Sequence, residues 1–132
     1  MTDATTLLAA AQHIAVTAGR AVLAYYGQPG TVEHKADHSP LTLADRASHR
    51  VIVEALNDLD SGIPVLSEES EADEVGDRRK WSRFWLVDPL DGTKEFLKQT
   101  GEFTVNIALI EEAEPVVGVV HVPVTGVTYS AV

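Results

Sequence analysis

The sequence predicts an α+β fold in which two long helices pack on a largely antiparallel sheet. Two observations support this prediction: apolar residues recur at helical spacing through the first 56 residues, and short apolar or alternating segments follow from residue 63 onward. The connections between those later segments are short, as expected for antiparallel neighbours. Helices and strands that occupy separate parts of a chain are typical of an α+β layer rather than of alternating α/β units.

The first helix is predicted over residues 3–26, and Gly27, Pro29 and Gly30 then end it. A second helix is predicted over residues 42–56. Thr42 followed by Asp45 resembles a capping box, which would begin that helix and explain both residues without any function. The buried sides of the two helices are predicted to contain Leu7, Leu8, Ala11, Ile14, Ala15, Ala18, Val22 and Tyr26, then Ala44, Ala47, Val51, Ile52, Ala55 and Leu56.

Strands are predicted where apolar and β-branched residues form short runs, at residues 63–67, 84–87, 103–109 and 116–122. A last strand is predicted to begin at residue 127 and to run to the end of the sequence. An apolar strand in that position leaves a sheet edge unprotected. This indicates either a truncated piece of a larger fold or a chain that needs a partner.

The composition is that of a globular protein, with 132 residues, 45% hydrophobic and 23% charged. The absence of cysteine excludes disulfides, thiolate zinc sites and a cysteine nucleophile. No apolar run approaches the roughly 20 residues of a membrane span, and the N-terminus lacks the basic region of a secretory signal. We therefore expect a cytoplasmic location, with peripheral membrane association left open.

The formal net charge of −10 argues against a nucleic-acid partner and against an anionic membrane surface, because both need clusters of Lys and Arg. Such acidity also conflicts with a phosphorylated substrate unless bound cations lie where the anion docks. The charge is thus weak support for a metal site. The acidic run at residues 71–77 is itself explained by a solvated loop.

Two carboxylates, Asp88 and Asp91, lie three residues apart directly after a predicted apolar strand. Pro89 restricts the backbone and Gly92 permits a sharp bend, so the sequence predicts a stiff, tight loop. In such a loop both carboxylates can converge on one centre, and the carbonyl of Leu90 can supply a third oxygen ligand for Mg²⁺. An ordinary turn explains the same residues equally well.

A short helix is predicted after Thr93, which would place the amides of Gly92 and Thr93 at its N-terminus, where phosphate binds well. Carboxylates beside such a helix start indicate metal-assisted phosphoryl hydrolysis. Glu68 follows the predicted strand at residues 63–67 and would add a third carboxylate if the two strands are neighbours, although taken alone it is surface charge. Asp45 would orient a metal-bound water together with Thr93 if the two lie close together. The five histidines show no metal-binding spacing.

These residues resemble the lithium-sensitive, Mg²⁺-dependent phosphomonoesterases of the inositol monophosphatase and fructose 1,6-bisphosphatase superfamily. The resemblance rests on residues 35–45 (KADHSPLTLAD), 66–70 (LSEES) and 85–93 (WLVDPLDGT). The continuations at residues 94–96 (KEF) and 101–106 (GEFTVN) are similar to the bacterial 3'(2'),5'-bisphosphate nucleotidases. Inositol monophosphatases more often have Thr-Asn-Phe after the same Asp-Gly-Thr.

The resemblance implies a role for each of these residues. The ligands of two to three Mg²⁺ ions would be Glu68, Asp88, the carbonyl of Leu90, and Asp91. The residues that activate the attacking water would be Asp45 and Thr93. The substrate phosphate would lie against Gly92, Thr93 and Glu68.

The implied reaction is hydrolysis of the 3'-phosphate of 3'-phosphoadenosine 5'-phosphate to give AMP and phosphate. Inositol monophosphatase activity and a truncated, catalytically silent domain stay open as alternatives. The resemblance covers nearly all of this chain but only the first half of a family member. Residues 1–132 are therefore expected to be the N-terminal metal-binding domain of a two-domain phosphatase, without the half that supplies a further aspartate ligand and most substrate contacts. A homodimer is left open.

Overall fold

The computed structural model describes residues 3–27, 40–67 and 81–132, and in these ranges it shows three helices and one five-stranded sheet. The helices are α1 (Ala4–Leu23), α2 (Pro40–Leu59) and α3 (Thr93–Lys98). The strands are β1 (Val65–Ser67), β2 (Arg83–Asp91), β3 (Thr104–Glu111), β4 (Glu114–Val122) and β5 (Val127–Ala131). The predicted fold class, two long helices on a largely antiparallel sheet, is confirmed.

Helix α1 begins directly after Asp3, whose carboxylate accepts a hydrogen bond of 2.8 Å from the backbone amide of Thr6. Hydrogen bonding to the backbone and side chain of Thr6 holds the pKa of Asp3 below its usual range. The helix ends at Leu23, three residues earlier than predicted. Its buried side contains Leu7, Ala11, Ile14, Ala15, Ala18, Gly19 and Val22, which matches most of the predicted stripe.

By length and composition, α1 is the one helix in the described ranges that could cross a membrane. The expectation that no apolar stretch approaches that length was therefore too strong. Core helices of globular domains pass the same test. Here α1 buries one side against α2, β3 and β4, so its apolar residues form part of the core.

Helix α2 begins at Pro40, two residues before the predicted start. Thr42 is therefore the third residue of the helix and Asp45 the sixth, so the capping-box interpretation of this pair is wrong. Proline suits the first turn because the N–H groups there have no partner within the helix. The position of Asp45, which is partly buried inside α2, needs another explanation.

The strands lie in the order β1-β2-β3-β4-β5. β1 and β2 run parallel, with Ser67 beside Val87, and the other three pairs are antiparallel. Parallel pairing brings the C-terminal ends of β1 and β2 to the same edge of the sheet. That edge is where the sequence places the candidate carboxylates.

The two faces of the sheet differ in what lies against them. Helices α1 and α2 pack on one face, called here the covered face, which buries Trp85, Val87, Val105, Ile107, Leu109, Val117 and Val119. The opposite, open face carries a row of cross-strand partners from β2 to β5: Asp88, Asn106, Val120 and Tyr129. Tyr129 is 64% exposed and Val120 is 38% exposed, so this face is only partly shielded by its own side chains.

His121 of β4 is polar and buried between the sheet and α1. Its Nδ1 lies 2.8 Å from the hydroxyl oxygen of Thr128 on β5. The ring also packs against Gly19, where an added Cβ would lie only 2.8 Å from the His121 Cδ2 atom. Burial, and to a smaller degree the positive charge of Arg20, lowers the pKa of His121. The His121 ring therefore packs between α1 and β5, in surroundings that favour its neutral form.

Candidate active site

The two candidate carboxylates lie on a bulged strand rather than in a tight loop, which corrects the prediction. β2 continues through Pro89 to Asp91, but its register against β3 shifts on the way. Asp88 pairs with Asn106, and the next pair joins Asp91 to Thr104. Three steps on β2 thus match two steps on β3, so β2 contains one extra residue. A bulge also tolerates Pro89, which cannot donate a backbone hydrogen bond to the ladder.

The bulge places both carboxylates on the open face. In a regular strand, residues three apart would point to opposite faces. The extra residue changes this, because Asp88 and Asp91 pair with Asn106 and Thr104, which lie two apart on β3 and therefore share a face. Burial agrees with the register: Asp88 is partly buried and Asp91 is exposed, whereas the intervening Pro89 and Leu90 are buried toward the helices.

Helix α2 holds the bulge from the covered side. The hydroxyl of Ser48 donates a buried hydrogen bond of 2.8 Å to the carbonyl of Pro89. Ser48 was not identified from the sequence, because a serine inside an amphipathic helix carries no signal for a contact 41 residues away. The bond fixes the backbone between the two carboxylates.

The next residue of α2 reaches the end of β1. His49 Nδ1 lies 2.9 Å from Ser67 Oγ, and Ser67 is the residue immediately before Glu68 in the sequence. Asp45 lies one helical turn before Ser48 and His49 and so shares their face of α2. The structure therefore places Asp45 on the helix face that contacts the ends of β1 and β2.

Gly92 joins the bulge to α3 and has a backbone that only glycine adopts freely, with φ 99°. A Cβ on Gly92 would lie 3.1 Å from Phe103 Cα and 3.2 Å from the Glu102 carbonyl oxygen. The predicted short helix is confirmed as α3, and Thr93 is its first residue, with an exposed side chain. Helix α3 contacts α2, which brings the helices of Thr93 and Asp45 together.

A cluster of three aromatic rings anchors α3 beside the sheet. Phe96 of α3 packs edge-on against Phe103, with ring centroids 5.3 Å apart, and Tyr26 lies 5.5 Å from Phe96 and 4.9 Å from Phe103. Phe96 is 3% exposed and Phe103 is fully buried. These contacts place the start of α3 next to the bulge.

Asn106 is a further polar residue beside the carboxylates, and the sequence alone did not single it out. Its Nδ2 donates a hydrogen bond of 3.3 Å to Asp91 Oδ2, and its backbone pairs with Asp88. Its Oδ1 is buried and has no hydrogen-bond partner among the described residues. The sequence does show a polar residue in the middle of an alternating strand. Only the register between β2 and β3 shows that this residue lies beside the two carboxylates.

Asp88, Asp91 and the nearby backbone carbonyl of Leu90 are all oxygen donors, which suits a hard divalent cation. Within residues 3–27, 40–67 and 81–132, however, no group of three or more His, Cys, Asp or Glu side chains could hold a metal ion. The predicted third carboxylate, Glu68, lies outside the described residues. The donors that are described fit part of a site for a divalent cation, and Glu68 stays a prediction.

The bulged carboxylate strand and the fold around it define the class of this protein. The sequence profile of the inositol monophosphatase family matches residues 3–132, and the chain belongs to that family. Its fold corresponds to the N-terminal portion of the inositol monophosphatase-like fold. The family predicted from the three sequence segments is thus confirmed.

Within the family, the chain is similar to bisphosphate nucleotidases. It is 54% identical over 121 residues to the 3'(2'),5'-bisphosphate nucleotidase CysQ of Escherichia coli O157:H7, covering 89% of this chain and 48% of that protein. The crystal structure of CysQ from Bacteroides thetaiotaomicron matches with a TM-score of 0.86 at 50% identity, covering 96% of this chain and 46% of that one. The structure of an inositol monophosphatase from Zymomonas mobilis matches with a TM-score of 0.83 at 26% identity, covering 100% of this chain and 49% of that one. The chain therefore spans about half the length of the relatives it matches.

Proposed function

We propose that this chain is the N-terminal, metal-binding part of a Mg²⁺-dependent 3'(2'),5'-bisphosphate nucleotidase that hydrolyses 3'-phosphoadenosine 5'-phosphate to AMP and phosphate. The observation that carries the proposal is the bulge in β2, which turns Asp88 and Asp91 to the same face at the edge where β1 also ends. The similarity to CysQ proteins at 50–54% identity supports the nucleotidase over the inositol monophosphatase.

The proposed ligands of the cations are Asp88, Asp91, the carbonyl of Leu90 and Glu68. A divalent cation supplies Lewis-acid polarisation of the phosphoryl group and lowers the pKa of a bound water. Two or three Mg²⁺ ions would also offset the net charge of −10 where an anionic substrate docks. The same proposal includes inhibition of the phosphatase by lithium ions.

The remaining residues are assigned to the water and the phosphate. Asp45, on the face of α2 that contacts the strand ends, accepts a proton from the attacking water, and the Thr93 hydroxyl orients that water. The amides of Gly92 and Thr93 donate hydrogen bonds to phosphate oxygens, and Glu68 lies beside the phosphate. The contact between α2 and α3 and the hydrogen bond from Ser48 to Pro89 support these roles for Asp45, Gly92 and Thr93.

The test is phosphate release from 3'-phosphoadenosine 5'-phosphate by the purified chain, with Mg²⁺ and with EDTA. A second protein, extended to the length of the relatives by the C-terminal half of a CysQ protein, is assayed in parallel. We expect Mg²⁺-dependent release by the extended protein, and much slower release from inositol 1-phosphate. No Mg²⁺-dependent release from the nucleotide would overturn the proposal. Preference for inositol 1-phosphate would favour the monophosphatase.

Three further proposals concern the surroundings of the enzyme. The partner is a small phosphorylated molecule and not a nucleic acid, the location is cytoplasmic, and a homodimer is left as an alternative to a monomer. Sedimentation of the purified chain, with and without Mg²⁺, distinguishes a homodimer from a monomer. Release of phosphate by a dimer of the short chain would show that a second copy supplies what the other half would supply, whereas an inactive chain that only folds would support a silent domain.

A further inference from the structure

Asn106 is a neighbour of both candidate carboxylates on the open face. Its backbone is in register with Asp88, and its side-chain Nδ2 donates a hydrogen bond of 3.3 Å to Asp91 Oδ2. A carboxylate only accepts hydrogen bonds, so the amide nitrogen must face Asp91 and the amide oxygen must point away. In the part of the chain that the structure describes, the Asp91 side chain makes its hydrogen bond with Asn106.

The stability of the fold does not explain an asparagine at this position. Its Oδ1 is buried without a partner among the described residues, and an unpaired buried acceptor is unfavourable. On the same face of β3, the next residues are Ala108 and Ile110, which have no such cost. Asparagine is also depleted in strands. An alanine or valine would therefore suit β3 better if folding were the only requirement.

We propose that Asn106 is a positioning residue for the candidate metal site. Its amide engages one oxygen of Asp91 and leaves the other oxygen for the cation, so that an exposed and otherwise mobile carboxylate is held in one orientation. The register also places Asn106 directly across from Asp88, so the residue that holds Asp91 is the cross-strand neighbour of the other proposed ligand. The inference rests on the proposed function, because it takes Asp91 to be a cation ligand.

The test measures Mn²⁺ binding by electron paramagnetic resonance, with the 132-residue chain and the variant Asn106→Ala. Removing a residue that orients a ligand weakens metal binding about tenfold to a hundredfold, and for this single bond we expect about tenfold. The matched control is Asn57→Ala, which removes the chain's other asparagine from an exposed position on α2. We expect Asn57→Ala to bind Mn²⁺ as the wild type does.

A second variant keeps the test decisive if the alanine variant folds poorly. Asn106→Thr retains a side chain that suits a strand but cannot reach Asp91 as the amide does, so the same tenfold weakening is expected. Thermal unfolding without metal serves as the structural readout, and the unfolding temperature should be unchanged or raised in either variant, because each removes the unpaired buried Oδ1. Wild-type Mn²⁺ affinity in the folded Asn106 variants would overturn this inference alone. Absence of Mn²⁺ binding by the wild type, both in the 132-residue chain and in the extended protein, would overturn the proposed metal site together with the inference.

Discussion

The covered face and the open face of the sheet differ in the residues they contain and in what those residues do. On the covered face, side chains such as Trp85, Val105 and Leu109 are fully buried, and they fix how α1 and α2 lie on the strands. On the open face, the row from Asp88 through Asn106 to Tyr129 is polar at one end and exposed at the other. One face of the sheet therefore specifies the fold, and the other presents the residues of the proposed chemistry.

The bulge in β2 is where the two faces are connected. Pro89 and Leu90 are buried on the covered side, whereas Asp88 and Asp91 on either side of them belong to the open face. The Ser48 hydroxyl reaches the Pro89 carbonyl from the covered side. Substitutions on the open face should therefore reduce activity without affecting stability, and substitutions behind the bulge should reduce both.

The largest effect is expected from Asp91→Asn in the extended protein. The change removes a proposed ligand next to the phosphate site, and we expect Mg²⁺-dependent phosphate release to fall by about a thousandfold. Asp91 is exposed, so the free energy of unfolding should be unchanged. The matched control is Asp58→Asn, an exposed carboxylate on α2, which should keep wild-type activity. Near-normal activity in Asp91→Asn would mean that the bulge has only a structural role.

Gly92→Ala tests the junction between the faces. The residue has φ 99°, and the added Cβ would meet backbone atoms of Phe103 and Glu102 at 3.1 and 3.2 Å. Strain and crowding together should lower the free energy of unfolding by about 3 kcal/mol, measured by urea denaturation. In Gly118→Ala, an added Cβ on β4 meets nothing within 4 Å, so little change is expected there. Equal stability of the two variants would contradict the role assigned to Gly92.

Ser48→Ala should reduce stability and activity together. Loss of the buried hydrogen bond to the Pro89 carbonyl should cost about 1 kcal/mol, and the loosened bulge should also lower phosphate release in the extended protein. The exposed Ser61 provides a matched control, because Ser61→Ala removes the same hydroxyl from a surface turn. Loss of stability with full activity would show that Ser48 supports the fold but does not position the carboxylates.

The covered face was largely predictable from the sequence, and the geometry of the open face was not. Helical spacing predicted most of the buried side of α1, and the alternation of Phe103, Val105, Ile107 and Leu109 predicted the inward face of β3. Those patterns follow from burial of one side of each element, which repeats along the element with its own period and can therefore be read from neighbouring residues. The extra residue in β2 depends instead on pairing with β3, so the sequence indicated a loop where the structure has a bulge.

The candidate site residues also divide into those that the sequence predicted and those that only the structure shows. Spacing and motif resemblance predicted Asp88, Asp91 and Asp45 as site residues, because residue types and spacing are local properties of the chain, and these roles stay predictions. Ser48 and Asn106 were missed, because each acts on a residue that is distant in sequence, and only the register shows the contact. The capping-box interpretation failed for a local reason: Pro40 begins α2 earlier than the Thr42 signature suggested.

The smallest effect should come from His121 on the covered face, and it concerns pH. Burial and Arg20 hold the pKa of His121 below the ordinary value of 6.5. The unfolded chain therefore takes up this proton first as the pH falls below 6.5, so the contribution of the neutral ring is complete above that pH and is lost progressively below it. We expect the free energy of unfolding to fall between pH 7.5 and 5.5, and His121→Gln to reduce that pH dependence. His13→Gln, at an exposed position on α1, should leave it unchanged. A pH dependence that His121→Gln leaves unaltered would show that groups other than His121 cause it, and would contradict the role assigned to this buried ring.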